Sequence, residues 1–155
     1  MFGLDTLGTL YVLTAFAFQI LLNVHYALRK LRFDFAIRYG WLYVYAPGIL
    51  AAALSVLLLL DGKPWWMWTG GFLYLVWAAY AYTVDYVKAI QWRSPFYWQV
   101  GGPYLTLYLA TIMFYWWPMA RIHRALWFAQ TALFVLSTVL NLTSHQRPDA
   151  TRAIP

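Results

Sequence analysis

Asp85 is the only acidic residue inside a long apolar run of this 155-residue chain. A carboxylate in that setting is the kind of group that takes up a proton or holds a cation. Tyr82 lies about one helical turn away and is placed to share that work. A plainer role is open to the same carboxylate, because Lys88 and Arg93 follow closely, and an ion pair near a span end costs little where water reaches it.

A second set of polar residues is spaced like helix faces. Gln130, Ser137 and Asn141 sit at offsets 0, 7 and 11 in the last apolar run. At about 100° per residue they share one face, with Thr138 and His145 beside it. In the first run Gln19 and Asn23 lie four apart, one above the other, and Tyr26 completes the row. Two chemistries fit these groups: hydrogen bonds between helices, or the polar lining of a ligand or ion site.

Imidazole is a common metal and haem ligand, so His25 and His145 form a third candidate set. Their spacing makes no helical pair, and interfacial positions are the alternative reading. His25 follows Asn23 by two residues and so points to nearly the opposite side of the helix. His123 falls between Arg121 and Arg124, in a loop at the other surface.

The elements that must position these residues follow from composition. The chain is 63% hydrophobic and 10% charged, against roughly 45–50% and about 25% for a soluble domain. That difference selects lipid as its solvent. Aromatic residues reach 21%, and many stand at the ends of apolar runs, where their rings anchor helices at the headgroup level. The +6 formal charge does not point to nucleic acid, because the basic residues flank apolar segments and read as orientation signals and lipid contacts.

Five runs approach the roughly 20 residues that a bilayer core requires. They are 7–28, 39–60, 65–92, 103–117 and 124–144, with Pro47-Gly48 expected to kink the second. The fourth is short, so a four-span bundle with a re-entrant segment is the alternative. The expected fold is thus an all-α, polytopic membrane bundle over residues 1–145, followed by a polar tail over 146–155. Residues 1–10 lack the basic start of a signal peptide, and the first run is expected to stay as a transmembrane helix. Gly70-Gly71 and the alanines of the second and third runs predict a tight contact between those helices.

Basic residues set the orientation. Arg29, Lys30, Arg32, Arg38, Lys88, Arg93, Arg147 and Arg152 fall on one side, and Lys63, Arg121 and Arg124 on the other. This imbalance places the N-terminus outside and the C-terminus in the cytoplasm of a bacterial inner membrane.

Absences narrow the chemistry. The chain has no Cys and no Glu, which removes thiolate nucleophiles, Cys-ligated metals and paired-Glu di-iron centres. No HExxH, GxSxG or phosphate-cradling glycine loop occurs. Lys63-Pro64-Trp65-Trp66 resembles the Lys-Pro loop of the tryptophan-rich sensory protein (translocator protein) family, whose length and tryptophan richness are also similar. The resemblance covers four residues: the motif follows the second span rather than the first, and neither a Pro-Pro pair nor an Asn/Trp/Pro signature comes after it. It assigns no family.

The expected function is that of a non-catalytic membrane protein, a subunit or scaffold of a larger inner-membrane assembly. It would hold lipid, quinone or pigment between aromatic helices, with the bilayer, other membrane subunits or further copies of itself as partners. Three alternatives stand beside it: a proton- or cation-coupled transporter using Asp85, a sensory protein for a small apolar ligand, and a haem or metal protein using His25 and His145.

Overall fold

The computed structural model describes residues 4–93 and 95–144. Asp5 opens the first helix, α1 (Thr6–Leu31), where its Oδ1 accepts from the Gly8 N–H at 2.9 Å and satisfies one donor that a helix start leaves open. One residue later α2 (Phe33–Gly40) begins, and it passes through a π-helical turn over Trp41–Tyr45 into α3 (Pro47–Leu60). Phe33–Leu60 is thereby one helical rod, starting before the expected Tyr39. Pro47 explains the turn. Proline lacks an N–H and its ring crowds the turn before it; a wider backbone relieves both, with the Ala46 N–H reaching back to the Trp41 carbonyl at 3.0 Å.

Gly62, at φ 70°, makes the reversal that leads into α4 (Trp65–Tyr82). This helix also ends in a π-helical turn, Thr83–Val87, in which the Lys88 N–H bonds the Thr83 carbonyl at 2.8 Å. Ala89 then takes φ 47°, and the Ile90 N–H closes on the Val84 carbonyl at 2.9 Å. An alanine in this left-handed region costs about 1–2 kcal/mol. The third run therefore stops short of the expected Trp92, whose ring folds back into the core at 3% exposure.

The fourth run is longer than its hydropathy suggests. α5 (Trp98–Ile122) is a continuous helix of 25 residues that takes in Gly101-Gly102, Pro103 and Pro118. Its start lies before the expected Pro103 and its end beyond the expected Trp117, giving a helix about 37 Å long. His123 separates it from α6 (Arg124–Ser144), which matches the expected run.

The helices close a ring in the order α1, α3, α4, α5, α6 and back to α1, with α3 against α4 the most extensive contact. Gly71 permits that contact. A Cβ there would lie 2.3 Å from the Ala51 carbonyl oxygen, so only glycine lets the two backbones approach this closely. The centre is aromatic: Tyr11, Phe18, Tyr74, Trp77 and Tyr115 are all buried. Phe18 meets Tyr74 edge-on at 4.6 Å.

Helix α6 is built inside out. Its buried residues are Gln130, Ser137 and Ser144, while Phe128, Val135, Leu136, Val139 and Leu142 are exposed. Among the described residues three helices, α1, the Phe33–Leu60 rod and α6, are long and apolar enough to cross a membrane by length and composition. The many Trp and Tyr residues of α4 and α5, each with a polar ring tip, lower the mean hydropathy of those two.

Candidate functional site

At one end of the ring, the two π-helical turns face each other. The first carries Tyr45 and the second carries Asp85, and the Tyr45 hydroxyl donates to Asp85 Oδ2 at 2.7 Å. Such turns widen a helix by one residue and re-aim the side chains on it. Tyr104, from the second turn of α5, donates to the same oxygen at 3.1 Å and stands 3.3 Å from the Tyr45 hydroxyl. The other carboxylate oxygen, Oδ1, lies 3.7 Å from Arg93 Nη1. Lys88 is exposed and makes no ion pair with Asp85, so the local partner is Arg93.

The loop after α4 brings Arg93 into place. Its Trp92 neighbour packs on Tyr104 at 4.8 Å, and the Arg93 guanidinium lies over the Trp92 ring at 4.2 Å and the Tyr104 ring at 5.5 Å. The Tyr97 N–H bonds the Trp92 carbonyl at 2.8 Å and holds the loop against the start of α5. Gly101 makes room there, because a Cβ would lie 2.7 Å from both the Trp92 and the Phe96 rings.

These residues form one wall of a cleft of about 410 Å³. Trp77, Tyr26 and Tyr108 supply more aromatic wall, and Tyr26 donates its hydroxyl proton to Tyr108 at 3.2 Å. Arg29, His25 and Asn141 add polar groups from α1 and α6. Leu105 and Leu142 line the cleft and are also exposed, at 39% and 67%, so the cleft meets the outer surface of the bundle between α5 and α6. The indole N–H groups of Trp77 and Trp92 are buried and have no hydrogen-bond acceptor among the described residues.

The other sequence candidates fall elsewhere. Tyr82 is exposed; its ring stacks on Tyr86 at 5.5 Å rather than joining Asp85. Gln19, Asn23, Gln130 and Ser137 come together between α1 and α6. Gln19 donates to Ser137 Oγ at 2.7 Å, Asn23 to the Leu133 carbonyl at 3.1 Å, and Gln130 to the Ala15 carbonyl at 3.1 Å. That is the helix-to-helix bonding that their spacing allowed. Of the two polar rows, Tyr26 and Asn141 reach the cleft.

His25 also lines the cleft, with Nδ1 3.2 Å from the Tyr43 hydroxyl. His145 lies outside the described residues. Among the described residues no three His, Cys, Asp or Glu side chains gather to hold a metal ion. Tyr45, Tyr104, Trp77 and Trp92 had no distinguishing signal, because the chain has thirteen Tyr and ten Trp. The nearest thing to one is the place of Tyr45 two residues before Pro47.

Chemically, the cleft offers an aromatic box, many N–H and O–H donors, and one carboxylate already engaged by two hydroxyls and a guanidinium. No family model, curated protein or solved structure matches the chain.

Proposed function

We propose that this protein is a five-span integral membrane protein that holds an amphipathic ligand in the cleft between its π-helical turns. The carrying observation is the cleft itself: an aromatic-walled space of about 410 Å³ with Arg29, His25, Asn141 and the Asp85 cluster as its polar lining. The opening beside Leu105 and Leu142 gives an apolar chain a route to lipid.

Five crossings are supported by α4, which has no charged residue, and by α5, whose only charge is Arg121 in its last turn. The inside-out α6 supports a lipid exterior. With the N-terminus outside and the C-terminus in the cytoplasm of a bacterial inner membrane, the cleft opens at the cytoplasmic end, where the basic residues concentrate.

Mass spectrometry of organic extracts from gently purified protein tests this reading. One class of amphiphile near one molecule per chain is expected. Extracts holding only bulk lipid in membrane proportions would contradict it.

A second reading has its own observation. The Tyr45–Asp85–Tyr104 cluster is a hydrogen-bonded carboxylate in a helical bundle, which is also how a proton- or cation-handling site is built.

A further inference from the structure

Resting on the reading of the cleft as a ligand site, we infer that its ligand carries an anionic oxygen headgroup, a carboxylate or a phosphate. Two guanidinium groups, Arg29 and Arg93, line the cleft against one carboxylate, Asp85. Among the described residues the Arg93 guanidinium makes no hydrogen bond; it has the 3.7 Å approach to Asp85 and its two ring contacts. Its side chain is 39% exposed, so its N–H donors remain open to an incoming oxygen. Arg29, from its position on α1, adds the second guanidinium to the cleft wall. Against these, the one carboxylate of the cleft is engaged: Asp85 Oδ2 takes both tyrosine hydroxyls, and Oδ1 faces Arg93. A headgroup with donors of its own would find the carboxylate occupied, whereas a carboxylate or phosphate brings the acceptors that the Arg93 guanidinium lacks.

The field points the same way. Arg29, Lys30, Arg32, Arg38, Lys88 and Arg93 stand at this end, with Asp34 and Asp85 as the acids of the same segments. A surface of that sign concentrates anions. Asp85 then holds Arg93 in place while opposing the anion by its own charge. This gives a sign that separates the inference from a cation site: neutralising Asp85 strengthens anion binding and weakens cation binding.

The test is a headgroup series on one tail. Oleate, oleyl phosphate, oleyl alcohol and oleylamine are titrated onto the full-length protein in neutral detergent micelles, and one-to-one complexes are counted by native mass spectrometry. Oleate or oleyl phosphate should bind about tenfold or more tighter than oleyl alcohol, the scale of one charge-assisted contact. Which of the two anions leads identifies the source as carboxylate or phosphate. Arg93→Gln should bring the anion down to the level of the alcohol, and Asp85→Asn should tighten it. The series is read first on the wild-type chain, so a variant that fails to fold leaves the test standing. Oleyl alcohol binding as well as the anions would overturn the inference while leaving the ligand cleft in place. Oleylamine binding tightest, and losing its hold in Asp85→Asn, would overturn it in favour of a cation site. No saturable binding by any member would overturn both this inference and the ligand reading beneath it.

Discussion

Tyr45 and Asp85 stand 2.7 Å apart, each on a π-helical turn of a different helix. The relationship ties two local irregularities into one device: neither helix, continued as a regular α-helix, would keep the same side-chain directions over these turns. Removing the hydroxyl in Tyr45→Phe takes away the shorter of two bonds to a carboxylate and should cost about 1.5–3 kcal/mol. Tyr104→Phe removes the longer one, at 3.1 Å, and should cost less. Thermal unfolding in detergent checks the order, and equal melting temperatures for both variants and wild type would refute the network.

Gly71 gives a second expectation, about packing rather than polarity. An added methyl meets the Ala51 carbonyl oxygen and Ser55 Oγ, and a backbone atom cannot swing aside. Gly71→Ala should therefore destabilise by about 1–3 kcal/mol. Ala79, on the exposed side of the same helix, serves as the comparison. Ala79→Leu should leave the melting temperature nearly unchanged, and a similar loss in both variants would mean that α3 and α4 do not meet at Gly71.

The third expectation concerns pH at the opposite end of the bundle. Lys63 bonds Asp5 Oδ2 and lies 3.2 Å from Asp61, joining the start of α1 to the turn between α3 and α4. The Lys63 hydrogen bond, helped by the Gly8 N–H, holds the Asp5 carboxyl below its usual range. Its contribution to stability is therefore complete above the unfolded value of about 3.9 and is lost as pH falls through the lower folded value. Lys63 is raised, first by Asp5 and then by Asp61, so its share is lost only as strongly alkaline pH passes its folded value. Asp5→Asn keeps a good helix cap and removes the charge. The melting difference between wild type and this variant should vanish in acid and shrink in high salt. A difference independent of pH would contradict the ion pair.

How much of this was legible in the sequence depended on the kind of signal. The polar faces were readable because Gln19 and Asn23, or Gln130 and Ser137, repeat at helical spacing, and the structure brings them together between α1 and α6. Helix α6 matched its hydropathy run, since Leu, Val and Phe dominate it. α5 did not: its Gly-Gly-Pro start and its Pro118 looked like ends, yet the helix runs through both. The cleft was largely hidden. Asp85 and Arg93 stood out by charge, but Tyr45, Tyr104, Trp77 and Trp92 are brought together by two π-helical turns and a folded-back loop. Those depend on tertiary contacts and leave no period in the chain.

The central claim is that the cleft, rather than the general lipid surface, holds a particular ligand. The most direct measurement places a photo-crosslinking amino acid at Leu105, on the cleft and exposed, and in a separate protein at Leu50, which is 74% exposed on α3 and outside the cleft. After irradiation in native membranes, the adducts are identified by mass spectrometry. The account predicts one dominant amphiphile at position 105 and the mixed lipids of the bulk membrane at position 50. The same bulk distribution at both positions would contradict it.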